Sequence, residues 1–233
     1  MKVGVMQPYF FPYIGYFQMI KAVDCFVFYD DVNYIKGGWI NRNRILINND
    51  AKYITVPLNE ASSNKLINEI CIKHESKEYR NIIKTIIQNY GKAPYFEEVF
   101  SLINKVINSD VKNISELAIK SVAEVCKYLN IETRFKISSE YFRDTKGLDR
   151  TQRLLAICKK LNAAQYINAI GGLELYSKKD FICENIELKF MQPSSVYYKQ
   201  FGDEFFGGLS IIDVLMFNSP EEINIMLSQY KLI

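Results

Sequence analysis

Two carboxylates, Asp30 and Asp31, follow the apolar run Cys25 to Tyr29, and a polar cluster comes close behind them: Lys36, Trp39, Asn41, Arg42, Asn43 and Arg44. A carboxylate at the end of a strand can take a proton from an amine or hydroxyl, or hold a sugar hydroxyl. Adjacent strand residues face opposite ways, so one of the pair is expected to look into a cleft. Arg42 and Arg44 share a side if their segment is extended, and guanidinium groups suit bidentate contact with phosphate. Trp39, the only tryptophan, offers a flat face to a sugar ring or base. The plainer reading is a solvated Asp-Asp turn with arginines on a rim; the concentration of these residue types directly after one strand favours a site.

A second group, Gly147-Leu-Asp-Arg-Thr-Gln-Arg153, stands at the mouth of a helix. With Asp149 as N-cap behind a glycine loop, free backbone N–H groups and the positive helix end, with Arg150 and Thr151 nearby, suit an anion such as a diphosphate. Asp149 and Thr151 also fit a plain capping role. Gly171 and Gly172 give a further place where main chain can approach a ligand, followed by Tyr176. His74, the only histidine, lies in a polar segment and reads as an exposed surface residue.

These groups need a frame. Val3 to Met6 reads as a strand, Gln7 to Pro12 as a Pro-rich loop, Gly15 to about Ala22 as a helix and Cys25 to Tyr29 as a second strand, which together make a βαβ unit. Ligands of such sheets collect at the carboxyl ends of strands, here Gln7, Pro8 and Tyr9 after the first and Asp30 and Asp31 after the second. Arg44–Ile47 and Tyr53–Leu58 read as a hairpin around Asn48-Asn-Asp50, and Ile67–Ile72 alternates like a further strand. Helical spacing from Lys77, after Pro94 and from Asn113 or Ser115 predicts a helical insertion or cap over residues 77–130. Strands are expected at Arg134–Ile137, Gln165–Asn168 and Ile186–Phe190, the last being the final strand, with a helix at Asp149–Leu161. Two helices, Ser210–Phe217 and Pro220 to about Tyr230, then end the chain. The expected fold is a single α/β domain over residues 1–233, Rossmann-like, with a mostly parallel sheet and a helical C-terminus.

Composition narrows the function. Twenty-nine Lys plus Arg against twenty-six Asp plus Glu leave a net charge of +3, which speaks against a nucleic-acid partner but leaves room for an anionic small molecule. The 48% hydrophobic content is ample for a core, and the 14% aromatic share serves either that core or a pocket for sugars and bases. Five scattered cysteines without a CxxC pair, with a single His, predict no zinc site and a reducing compartment. The adjacent carboxylates could hold Mg²⁺ only together with a nucleotide's phosphates, so no protein-built metal site is expected. No signal peptide and no apolar run of membrane-spanning length is visible, so the expected location is cytoplasmic.

The run Met6-Gln-Pro-Tyr-Phe-Phe-Pro-Tyr-Ile-Gly-Tyr-Phe17, with Tyr29-Asp-Asp-Val-Asn-Tyr-Ile-Lys36 and Trp39-Ile-Asn-Arg-Asn-Arg44, resembles the WbqC-like family of bacterial proteins. Gly147-Leu-Asp-Arg-Thr151, Gly171-Gly172 and Leu209-Ser-Ile-Ile-Asp-Val-Leu215 carry the resemblance through the chain. It implies a place in surface-polysaccharide assembly, especially of O-antigen, without naming a reaction. Within the same opening, Tyr13-Ile-Gly-Tyr16 is similar to the His-x-Gly-His signature of the nucleotidyltransferase superfamily, where the histidines contact phosphates and the glycine lets the base approach. A neutral phenol lacks the imidazolium charge that such chemistry uses, so Tyr13 and Tyr16 disfavour nucleotidyl transfer; a tight aromatic loop shaped by Pro12 and Gly15 is the plainer reading.

The preferred expectation is a transferase that places an acyl or aminoacyl group on a nucleotide-linked amino sugar. Asp30 or Asp31 would take the amine's proton, Arg42, Arg44 and Arg150 would hold the diphosphate, and Trp39 would position the ring. An ATP-using ligase or nucleotidyltransferase-like enzyme and a noncatalytic partner in an assembly complex are the alternatives. The sequence assigns neither a cofactor nor an oligomeric state.

Overall fold

The computed structural model describes residues 1–233. In chain order the first elements are β1 (Lys2–Met6), α1 (Ile14–Lys21), β2 (Cys25–Phe28), the hairpin β3 (Arg42–Ile47) and β4 (Asp50–Thr55), then the helices α2 (Lys77–Tyr90), α3 (Phe96–Ile107) and α4 (Ile114–Tyr128). There follow β5 (Arg134–Ile137), α5 (Ser138–Tyr141), α6 (Arg150–Lys160), β6 (Gln165–Ala169), α7 (Lys178–Ile182), β7 (Glu187–Pro193), α8 (Ile211–Phe217), α9 (Pro220–Met226) and β8 (Tyr230–Leu232).

Six strands form one sheet in the order β5-β2-β1-β6-β7-β8. All neighbours are parallel except β7 and β8. Period-2 alternation divides the sheet's side chains between two cores. Phe26 and Phe28 of β2 and Ile167 of β6 join α1, the hairpin, α2–α4 and α8 in a cluster of 44 buried residues. Val3, Val5, Cys25, Val27, Tyr166 and Phe190 point the other way, into a cluster of 14 with α6 and α7. Both faces are covered, which is why these strands read as unbroken apolar runs. From β1 the chain builds outward through β2 to β5 and then returns to place β6 on the opposite side of β1. The order reverses between β1 and β6, so the crevice of a doubly wound sheet belongs at their carboxyl ends.

The hairpin turns on Asn48 and Asn49, both in the left-handed region (φ 53° and 55°), which suits the twist of the flanking strands. Two expectations are corrected. Ile67–Ile72 is not a strand: it contains a short 3-10 turn, Ile67–Glu69, and makes only isolated bridges, Leu58 to Ile72 and Cys71 to Asn113. Its apolar residues Ile67, Ile70 and Ile72 are satisfied by burial beside α4, whose first residue Ile114 donates its N–H to the Ile70 carbonyl. Nor is the end of the chain wholly helical. α9 stops at Met226, and β8 pairs antiparallel with β7, itself longer than expected, closing an edge that would otherwise stay open.

Candidate functional site

A cavity of about 760 Å³ lies over the carboxyl ends of β1, β2 and β6. Gln7, Tyr9, Tyr29 and Asp31 line it from the first two strands, Asn168, Gly171, Gly172 and Tyr176 from the third, and Lys146, Gly147, Arg150 and Arg153 from the approach to α6. The topology therefore brings together residues more than a hundred positions apart.

The two carboxylates have separate lives. Asp31 lines the cavity, and its Oδ2 pairs with Arg153 Nη2 at 2.6 Å, both side chains being nearly inaccessible. Arg153 also donates through Nε to Thr145 Oγ1 at 3.1 Å, and its guanidinium carbon lies 4.6 Å from the centre of the Tyr29 ring. Burial pushes the Tyr29 phenol up, and the Arg153 charge opposes that rise. Asp30 is absent from this cavity's lining. It accepts from Ser139 N (2.9 Å), Ser139 Oγ (2.6 Å) and Asn68 Nδ2 (3.1 Å), and so ties β2 to the start of α5. Ser138 bridges the pair: its hydroxyl faces Asp30 Oδ1 at 2.9 Å and also contacts Asp31 Oδ1, so one proton is shared by two carboxylates.

The glycines differ from one another as well. A Cβ at Gly147 (φ 94°) or at Gly171 would meet nothing within 4 Å, so main chain at both places is open to the cavity. At Gly172 a Cβ would collide with the Asn168 amide. The expected free N–H groups at the head of α6 are already partly used: Asp149 Oδ1 accepts from Thr151 N (2.9 Å) and Gln152 N (3.0 Å). Asp149 and Thr151 thus belong to the cap, whereas Gly147, Arg150 and Arg153 line the cavity.

The cluster after β2 does not join them. Lys36 is exposed, and Pro8 is buried in the loop. Arg42 stacks over Tyr53, 4.3 Å from the ring centre, and Arg44 lies 6.0 Å from the Trp39 ring, all on the hairpin away from Asp31. The arginines do share a side of an extended strand, but that side is not the crevice. Asn41 and Asn43 are buried clamps. Asn41 accepts from Tyr34 OH (2.7 Å) and donates to Val56 O (2.9 Å). Asn43 donates to Phe11 O (2.8 Å) and accepts from Arg44 N (2.8 Å). Phe11 has φ 39°, a strained value for a residue with a side chain, and Ser210 Oγ donates to the same carbonyl at 2.7 Å. Asn43→Ala is expected to cost about 1–3 kcal/mol by leaving these buried groups short of a partner. Chemical denaturation reads this directly, and a cost near zero would show that Ser210 holds the loop alone.

Tyr16 is fully buried, and its hydroxyl donates to the Gln7 carbonyl at 2.9 Å, which fixes the end of β1 rather than presenting a phenol to a ligand. Gly15 gives room to the Tyr13 ring, which a Cβ there would overlap, and not to an incoming base. Tyr13 and Gly15 line a different cavity, of about 420 Å³. His74 is half-buried: Nε2 lies 2.8 Å from Val111 O, and the ring packs against Tyr79.

Arg153, Asn168 and Asp213, whose carboxylate accepts from Tyr90 OH, Tyr198 OH and Gln200 Nε2, are buried polar residues to which the sequence reading gives no role. Their common signal is a polar residue at a register that demands an apolar one. Arg153 precedes Leu154, Ile157 and Cys158 on the buried face of α6, and Asp213 interrupts Ile211-Ile-Asp-Val-Leu215. No group of three or more His, Cys, Asp and Glu side chains is arranged to hold a metal ion. No helix is long and apolar enough to cross a membrane.

A doubly wound, mostly parallel sheet with a charged crevice at its switch point defines the chain as an α/β protein. Residues 7–225 match the WbqC-like protein family, and the chain belongs to that family. It is 29% identical over 226 residues, 95% of each chain, to an uncharacterized protein of Mycobacterium tuberculosis (strain ATCC 25618 / H37Rv). No solved structure matches it.

Proposed function

We propose that the chain is a transferase that places an acyl or aminoacyl group on a nucleotide-linked amino sugar for bacterial surface polysaccharide such as O-antigen. The observation that carries this reading is the crevice itself, where Asp31 shares the lining with Lys146, Arg150 and Arg153 and with the open main chain of Gly147 and Gly171. Its size falls within the roughly 300–1,000 Å³ of pockets that enclose small ligands. Arg150 and Lys146 supply the charge for a diphosphate, the glycines let it approach the backbone, and Tyr9 and Tyr176 offer ring faces to the base or sugar.

With an acyl thioester as donor, the sugar amine attacks the carbonyl carbon. A C–N bond forms, the C–S bond breaks, and the sulfur leaves with the bonding pair. Asp31 accepts the amine's proton and passes it to the departing thiolate. Arg153 fixes one carboxylate oxygen and Ser138 contacts the other, so the base is oriented before substrate arrives.

A thermal-shift screen against ATP, acyl thioesters and dTDP-, UDP- and GDP-linked amino sugars tests the reading. A ligand at about 100 times its dissociation constant adds about 2.7 kcal/mol. Each kcal/mol is expected to raise the midpoint of a protein this size by about 2–4 °C. A nucleotide-linked amino sugar is expected to stabilise the protein, and Arg150→Ala to abolish that shift with the unliganded midpoint unchanged, since Arg150 is exposed. Stabilisation by ATP alone would favour the nucleotidyltransferase-like reading; silence across the panel would favour a noncatalytic partner.

A further inference from the structure

We infer that the crevice has two chambers and that the second, the cavity of about 420 Å³ around Tyr13, takes the uncharged acyl group of the donor. The inference deepens the transferase reading and rests on it for the choice of an acyl thioester.

None of the 14 residues lining this chamber is charged, and four of them are aromatic: Tyr13, Tyr197, Tyr198 and Phe205. The first chamber carries both signs of charge. Moving a diphosphate into a site without counter-charge is costly, whereas an apolar group gains by leaving water. The two halves of a reaction pair thus sort themselves by charge.

The chamber is built rather than being a gap under a loose loop. Tyr198 OH and Gln200 Nε2 each donate to Asp213 Oδ2 at 2.7 Å, and Gln200 Oε1 accepts the Phe206 N–H at 2.8 Å. Phe205 packs on Tyr197 and Tyr198, with ring centres 5.2 and 5.3 Å away. A segment without regular structure is therefore held as an aromatic wall by one buried carboxylate on α8.

A narrow space of about 60 Å³ lies between the chambers and shares walls with each. Met6 and Ala169 line both it and the first chamber; Tyr13, Gly15 and Pro193 line both it and the second. That space lies at the carboxyl ends of β1, β6 and β7. A group seated beside Tyr13 and a sugar seated beside Asp31 thus reach toward one another along the sheet's edge.

The test uses the hexanoyl thioester of N-acetylcysteamine, which has no phosphate, and a UDP-linked amino sugar, each titrated into methyl-labelled full-length protein followed by NMR. The thioester is expected to shift the methyls of Val196, Leu209 and Val214, the nucleotide sugar those of Val32, Leu148 and Leu175, and each is expected to bind in the presence of the other. Ser195→Trp, at an exposed lining position, is expected to weaken the thioester at least tenfold and leave the nucleotide sugar unaffected. The inference is overturned if the thioester moves no methyls, moves those of the first chamber, is displaced by the nucleotide sugar, or binds Ser195→Trp unchanged. If the nucleotide sugar alone fails to bind, the transferase reading falls while the thioester titration still decides the second chamber.

Discussion

Arg153→Met is expected to destabilise the protein by about 3–5 kcal/mol, the usual cost of leaving one partner of a buried ion pair alone. Arg153 is 5% exposed, and the Asp31 carboxylate it faces is 6% exposed, so water cannot take over the role of the guanidinium. The variant also removes the donor to Thr145 Oγ1, which keeps its own bond to the Phe142 carbonyl, and removes the cation from beside the Tyr29 ring. A control separates charge from packing. The double variant Asp31→Leu/Arg153→Met is expected to recover most of the loss, because an apolar pair of similar volume escapes the desolvation of both ions. Urea denaturation of wild type, single and double variants decides the matter; equal midpoints for wild type and Arg153→Met would show that the pair contributes nothing. In the transferase reading the double variant is folded and inactive, which separates the pair's part in stability from its part in orienting the base.

Asp213→Ala is the second substitution with a large expected effect. Tyr90 OH, Tyr198 OH and Gln200 Nε2 all donate to this fully buried carboxylate, and Tyr90 OH in turn accepts the Leu46 N–H at 2.9 Å. Removing it leaves the two tyrosine hydroxyls without their acceptor, while Gln200 Nε2 keeps the Phe206 carbonyl at 3.0 Å. At about 1–3 kcal/mol for each buried group left unsatisfied, a loss of at least about 2 kcal/mol is expected, with the 196–208 segment becoming susceptible to protease. Retention of wild-type stability and protease resistance would mean that the wall of the second chamber is held by packing alone.

The same group has a pH signature of definite sign. Burial raises the Asp213 carboxyl above its ordinary value of 3.8, against the pull of its three donors. Between those two values the folded protein holds a proton that the unfolded chain has released. The stabilising contribution is therefore complete below the ordinary value and is lost as pH rises through the folded one. Asp213→Asn is expected to flatten that part of the stability profile. An unchanged slope would assign it to other groups.

The frame was legible because its signals are local. A strand buried on both faces reads as an apolar run, a helix carries its period and cap, and Asn-Asn marks a hairpin whatever surrounds it. Asn113, Asp149 and Ser219 each cap a helix through a side chain, as their positions in the sequence suggest. Legibility failed where a distant partner decides the outcome. Ile67–Ile72 alternates like a strand yet has no ladder to join, because the residues beside it belong to a helix. β8 has only three residues and little local signal; it is a strand because β7 offers it an edge. The site divides the same way. That one of two adjacent carboxylates would face a cleft follows from strand geometry, but which one depends on Arg153 and Ser138, 122 and 107 residues away. Trp39, Arg42 and Arg44 are close to Asp31 in sequence and were grouped with it for that reason. The hairpin that carries the arginines, and the turn before it that carries Trp39, direct them instead toward Tyr53 and one another.

The short strand β8 has a consequence for handling the protein. Ile233 exchanges both main-chain hydrogen bonds with Phe190, at 2.9 and 3.0 Å, and so shields the outermost parallel strand from other chains. Deleting residues 230–233 would leave β7 as a bare template on which a second molecule can add its own strand. A sample of that variant that elutes as mixed species while keeping its helical and strand content has lost its edge guard rather than its fold.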